Sequence, residues 1–208
     1  MRKFRNSNKK FIYLISPNKI NYRGFFNQLE DIFKTKKIHF FQLRLKKTPK
    51  EQIIRFGKKI KKLCNKYNIR FILNDDPFLA KKINAHGCHI GQKDIPINQA
   101  RVILKNRIIG ITCHNSKKLI QKAIKEKADY IAIGAFFSSR TKRVKFKANL
   151  NLLKYAKNIT KIPIIAIGGI NSKNYKKLLL NKANFLAISG YIWKNKKYKP
   201  IEALNKIK

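Results

Sequence analysis

The chain has 208 residues, enough for one domain with a substantial core, and 50 Lys+Arg against 9 Asp+Glu give a formal net charge of +41. No stretch reaches the ~18 apolar residues of a membrane-spanning helix, so no membrane partner is expected. Three cysteines, Cys64, Cys88 and Cys113, are odd in number and lack C-x-x-C spacing, which excludes a disulfide framework and fits a reducing, cytoplasmic setting.

So positive a balance ordinarily suggests nucleic acid or an anionic surface. Here the lysines run along the whole chain beside abundant Asn and Ile, and no RNP-like, zinc-finger or basic-zipper pattern is present. The charge therefore reads as a Lys-rich solvated surface, with a polyanion-binding role as the alternative. In both readings the field attracts phosphorylated small molecules. Residues 1–10 are basic, but the apolar run that follows at 11–15 is too short for the core of a signal peptide.

In chain order, eight short apolar, β-branched runs fall at 11–15, 39–45, 70–73, 88–90, 108–112, 130–133, 163–167 and 185–189. They are continuous runs rather than apolar/polar alternations, as parallel strands covered by helices should be. Helical patterns lie between them. Residues 51–67 place Ile53, Ile54, Phe56, Ile60 and Leu63 on one stripe, with Thr48 as a cap and Pro49 at the first helical position. Residues 116–127, 149–158 and 171–182 read similarly, the last capped by Asn171 or Ser172. Eight strand–helix repeats predict a single-domain (β/α)8 TIM barrel over residues 1–208, with a doubly wound open sheet as runner-up. Functional residues are then expected where the strands end.

After the second run, Gln42, Arg44 and Lys46 share one face of a strand, with Leu43 and Leu45 on the other. If the leucines face the helices, two cations and an amide face the barrel mouth, a costly placement unless they meet an anion. After the third and fourth runs come Asn74, Asp75, Asp76 and Gly91, Gln92, Lys93, Asp94. Three of nine carboxylates thus fall at adjacent strand ends, which suits a hard cation such as Mg2+ held by Asp75 and Asp94. Asp76, before Pro77, is expected to cap a helix instead. The sixth run ends in hydroxyls and cations (Ser138, Ser139, Arg140, Thr141, Lys142), the seventh in Gly168 and Gly169, the eighth in Ser189 and Gly190. Glycine-rich last loops are a recurrent phosphate site in such barrels. The residues thus suggest two phosphate subsites, one with a divalent metal. His86, Cys88 and His89 lie close together, but alternation turns Cys88 away from His89, against a metal site there.

Taken in register, 41–46, Asn74–Asp75, 89–94, 110–114, 128–142 and 167–170 resemble the thiamine-phosphate synthase family over nearly the whole chain, from about residue 11 to 193. The resemblance implies the (β/α)8 barrel and a transferase reaction. In it, a thiazole phosphate displaces pyrophosphate from 4-amino-5-hydroxymethyl-2-methylpyrimidine diphosphate through a dissociative step. It implies Mg2+ on Asp75 and Asp94, with the diphosphate held by Arg44, Lys46, Asn74 and Lys142. Arg44, Lys46 and Lys142 would stabilise charge in catalysis. Gln42 and Thr112 would line the pyrimidine pocket, with Leu43 and Leu45 in the substrate-binding run. Ser139, Arg140, Thr141, Gly169, Ile188 and Ser189 would take the thiazole phosphate.

This chain departs from the family pattern at Ser138–Ser139, where Pro-Thr is usual, at Asp76 for arginine, and at Thr112 for serine. A thiazole tautomerase of the same superfamily, with His114 as its acid or base, and a non-catalytic polyanion-binding protein are the rivals. Neither accounts for the Gln42, Arg44, Lys46, Asn74, Asp75, Asp94 and Lys142 set. The partners expected are small phosphorylated substrates, with nucleic acid not expected; the sequence allows a homo-oligomer without requiring one.

Overall fold

A computed structural model describes residues 11–138 and 145–208. Eight parallel strands close into a barrel in sequence order: β1 (Ile12–Ile15), β2 (Ile38–Leu43), β3 (Arg70–Asn74), β4 (Gly87–Ile90), β5 (Ile108–His114), β6 (Tyr130–Gly134), β7 (Ile164–Ile167) and β8 (Phe185–Ile188). Pairing of β1 with β8, Leu14 opposite Ile188, closes the ring. The open-sheet alternative is thereby excluded.

Alternation sorts the strand side chains into two cores. Facing the axis, Tyr13, Ile15, Phe40, Ile72, Ile108, Tyr130, Ala132, Ile165, Phe185 and Ala187 fill the interior. Their outward neighbours, such as Leu14, Phe41, Leu43, Leu73, Cys88 and Ile188, pack beneath the helices. These are α1 (Tyr22–Lys34), α2 (Lys50–Lys66), α3 (Pro77–Lys82), α4 (Ile97–Leu104), α5 (Lys117–Lys125), α6 (Leu150–Ile159), α7 (Tyr175–Leu180), α8 (Gly190–Trp193) and α9 (Pro200–Asn205). Gly110 has a packing reason to lack a side chain, because a Cβ there would sit 1.8 Å from the Tyr130 ring.

Caps explain several boundaries. Asp76 accepts from the Leu79 N–H at 2.9 Å, as expected, Ser116 from Leu119 and Asn149 from Leu152. Local side-chain chemistry accounts for three of the differences from the expected boundaries. Strand β2 stops at Leu43 because the Arg44 N–H turns to the Ser16 hydroxyl, 2.9 Å away. Thr48 does not cap α2, which starts at Lys50 behind Pro49 with no side-chain cap. Helix α7 begins at Tyr175, not at 171, because the Asn171 side chain accepts from Lys173 N–H and the Asn174 side chain from Asn171 N–H. These local side-chain bonds hold the segment as a turn.

Candidate active site

At the C-terminal mouth, Gln42 is buried on the axial face in register with Ile15 and Ile72. Leu43 points into the outer core and Leu45 packs against it, as their alternation requires. Arg44 lies one residue past the strand. Its backbone is pinned to Ser16, and its guanidinium donates to the Asn18 side chain at 3.1 Å. Arg44 and Lys46 both lie close enough to pull the Asp75 carboxyl down.

Asn74 ends β3, and Asp75 follows with φ +67°, its N–H bound to the His89 carbonyl at 2.8 Å. That left-handed residue turns the chain so that Asp75 meets Asp94 of the next loop. Asp94 is itself placed by a tight turn, where its carboxylate accepts from the Gly91 N–H at 2.6 Å. The two carboxyl groups lie close enough for each to feel the other's charge. Withdrawal from water, then repulsion and hydrogen bonding from Asp94, push the Asp75 carboxyl up to about 6. Asp75 nevertheless keeps an exposed edge at the mouth, so the repulsion is the better-founded cause.

Two carboxylates from adjacent loops, one of them driven toward protonation by the other, form a donor set suited to a divalent cation. Among the described residues no cluster of three or more His, Cys, Asp or Glu could hold a metal. Mg2+ does not need one, since it is commonly bound by one or two carboxylates with water and substrate phosphates. A cleft of about 210 Å³ opens beside them, lined by Asn74, Asp75, Asp76, Leu43, Leu45 and Thr48 among others.

Thr112 sits on the axial face of β5 and opens a buried polar chain. Its hydroxyl is 2.8 Å from His89 Nε2, His89 Nδ1 is 3.0 Å from the Tyr130 hydroxyl, and Tyr130 is 2.8 Å from the Tyr13 hydroxyl. The Thr112 carbonyl also accepts from the Gln92 side chain at 2.5 Å. Burial first, then the positive charge of Arg44, lowers His89 to about 4, so it stays neutral and keeps one acceptor and one donor nitrogen. His89, Tyr130 and Tyr13 were absent from the expected site. The signal was present: Cys88 turns outward, so its neighbour must turn inward. Cys113 likewise faces the outer core, while the His114 ring packs tilted against Phe146, centroids 4.4 Å apart, so the two form no nucleophile–base pair.

On the far side of the mouth, Gly168 and Gly169 adopt φ of +105° and +62°. A Cβ on Gly169 would meet the Ser138 carbonyl at 2.2 Å, so the sixth and seventh loops can touch only with glycine there. Ser189 donates to the Ser16 carbonyl at 3.1 Å and leads directly into α8. The Ile188 side chain is in the outer core, leaving its backbone as the only part near the mouth. Ser139, Arg140, Thr141 and Lys142 lie outside the described residues.

A family model described as thiamine monophosphate synthase matches residues 12–192. The thiamine-phosphate synthase of Pelagibacter ubique is 62% identical over 201 residues, covering 97% of each chain. That of Rhodospirillum centenum is 37% identical over 183 residues, covering 88% of each. The solved thiamine phosphate pyrophosphorylase of Pyrococcus furiosus superposes with a TM-score of 0.83 at 25% identity, over 96% of this chain and 94% of the other.

Proposed function

This chain belongs to the thiamine monophosphate synthase family, and from that premise we propose how its own residues carry out the condensation. The enzyme is a transferase that joins 4-amino-5-hydroxymethyl-2-methylpyrimidine diphosphate to hydroxyethylthiazole phosphate, giving thiamine phosphate and pyrophosphate. A carboxylated thiazole phosphate is an allowed second acceptor. The observation that carries the reading is the neighbouring Asp75 and Asp94 carboxyl groups, from adjacent loops, beside Arg44 and Lys46 at one barrel mouth.

The step needs no protein nucleophile. The aminopyrimidine stabilises a cationic methylene as its bond to the diphosphate breaks, and the thiazole nitrogen then supplies the new bond. What the protein must provide is charge neutralisation of the departing pyrophosphate and alignment of the acceptor. Arg44, Lys46 and Lys142 are assigned the first task, with Asn74 as a hydrogen-bond partner. Asp75 and Asp94 would hold Mg2+, which when bound neutralises and orients diphosphate oxygens. Gln42 and Thr112 are assigned to the pyrimidine, Thr112 being oriented by neutral His89. Gly169, Ser189 and the Ile188 backbone, with Ser139, Arg140 and Thr141, are assigned to the thiazole phosphate.

No helix among the described residues is long and apolar enough to cross a membrane. All three cysteines are free and buried, which supports a reducing compartment, and we place the enzyme in the cytoplasm.

The test is pyrophosphate release from purified protein given both substrates and Mg2+, with thiamine phosphate identified as the product. Release that requires both substrates and is abolished by a chelator is expected. No product with full substrates defeats the reading, and tautomer interconversion of the carboxylated thiazole in its place would favour the tautomerase.

A further inference from the structure

At the opposite end of the barrel, where the strands begin, a cavity of about 360 Å³ opens between α2 and the starts of β3, β4 and β5. Lys61, Arg70, His86 and Arg107 line it, and none of the nine carboxylates in the sequence does. The neighbouring Arg101 shows the contrast. It too lies at this end, but its guanidinium is matched by the Asp129 carboxylate at 2.6 Å. Arg70 makes no side-chain hydrogen bond among the described residues, and Arg107 spends one N–H on the Ala85 carbonyl at 2.7 Å, leaving the rest of its fork.

The hydrogen bonds of His86 sharpen the point. The Phe71 backbone N–H donates to His86 Nδ1 at 2.8 Å, and a backbone amide can only donate. Nδ1 is therefore the acceptor, and the single proton of the neutral ring sits on Nε2. Yet Nε2 faces the Lys61 ammonium at 2.9 Å, so one donor is aimed at another. Burial and the charges of Lys61, Arg70 and Arg107 all oppose a proton on the ring, and burial with Arg107 and Arg70 also disfavours the Lys61 charge. Donors thus converge on a concave site lined by no carboxylate, where the Asn65 side-chain oxygen, 2.8 Å from Lys61, is a neutral acceptor only. A cavity of this size suits a small ligand, and planar guanidinium forks match tetrahedral oxyanions.

We propose that this pocket is a second anion site, binding a compact oxyanion of the phosphate class through Lys61, Arg70, Arg107 and the Nε2–H of His86. An oxygen placed between Lys61 and His86 accepts from both and removes the donor–donor opposition. The site is separate from the catalytic mouth and does not depend on the assignments made there.

Histidine-ring NMR tests it in the full chain, which has only four histidines. The His86 signal is identified by its loss in His86→Gln. Titration with inorganic phosphate, inorganic pyrophosphate and glycerol 3-phosphate in turn should shift the His86 ring saturably, with half-saturation at or below about 1 mM for at least one of them. The tightest of the three names the source: general phosphate, the reaction's own pyrophosphate, or a phosphate monoester. In Arg70→Gln/Arg107→Gln the half-saturation should rise at least roughly tenfold while pyrophosphate release at the mouth is retained. Lys61→Gln, on a solvent-reaching helix position, should weaken binding in the same direction and guards against misfolding of the double variant. A His86 shift that never saturates, that sodium chloride reproduces, or that is equal in all variants overturns the site and leaves only diffuse attraction by the net charge.

Discussion

Asp75 and Asp94 gain their meaning from being paired. Alone, either would be a turn residue, and Asp94 does cap its own turn through Gly91. If the pair holds Mg2+, Asp75→Ala and Asp94→Ala should each cut turnover at least roughly tenfold, a loss of ~1.4 kcal/mol of transition-state stabilisation. Steady-state rates near wild type in both variants would remove the metal assignment. A pH effect follows from the same pair. The Asp75 carboxyl, raised to about 6 from the usual value near 4, holds its proton more firmly folded than unfolded. Its contribution to the metal-free protein is therefore full below about 4 and lost as pH rises through 6. A cation needs the opposite state, so the Mg2+ concentration for half-maximal rate should climb as pH falls through 6. A requirement that stays flat between pH 7.5 and 5.5 would contradict this, as would an unchanged profile in Asp75→Asn.

The strands were legible because their apolar runs are continuous, and all eight lie within a few residues of where the sequence reading put them. What could not be read was where side chains compete with the ladder. Ser16 takes the Arg44 N–H and ends β2 early, and the Asn174 and Asn171 side chains take the N–H groups of Asn171 and Lys173 and delay α7. Both partnerships join residues whose meeting depends on the finished fold or on a turn that propensity does not favour over a helix. Of the site, the charged mouth and the inward turn of His89 were visible from spacing, but the interior chain that His89 joins, from Thr112 to Tyr130 and Tyr13, was not. It ties β5, β4, β6 and β1 across the axis, and only a closed barrel makes these strands face one another. Tyr130 is fully buried and serves both His89 and Tyr13. Tyr130→Phe leaves both without that hydroxyl and should cost about 1–3 kcal/mol in urea unfolding. A change under a few tenths would mean that the chain is incidental.

At the scale of the molecule, 41 unbalanced positive charges must coexist on one small barrel. Among the described residues four ion pairs are formed, and two of them are short-range contacts along a helix or its end. Most lysines therefore face water and one another, and self-repulsion opposes compactness. Screening should relieve it: raising sodium chloride from about 20 to about 300 mM should increase the melting temperature, at roughly 2–4 °C for each 1 kcal/mol recovered. A melting point that falls or stays level would show that the charges are already compensated locally.

The aromatic filling of the barrel has a further outcome. Tyr13, Phe40, Tyr130 and Phe185 stopper the axis with almost no exposed surface, so nothing passes between the two ends. With the substrates at the C-terminal mouth, as proposed, the reaction would have a room with one door: two substrates would enter and two products leave by the same opening. Pyrophosphate that lingers bars the next pyrimidine diphosphate. Initial-rate measurements should accordingly find it competitive against that substrate, and a noncompetitive pattern would show that it binds an enzyme form the pyrimidine diphosphate does not, against mutual exclusion at the mouth.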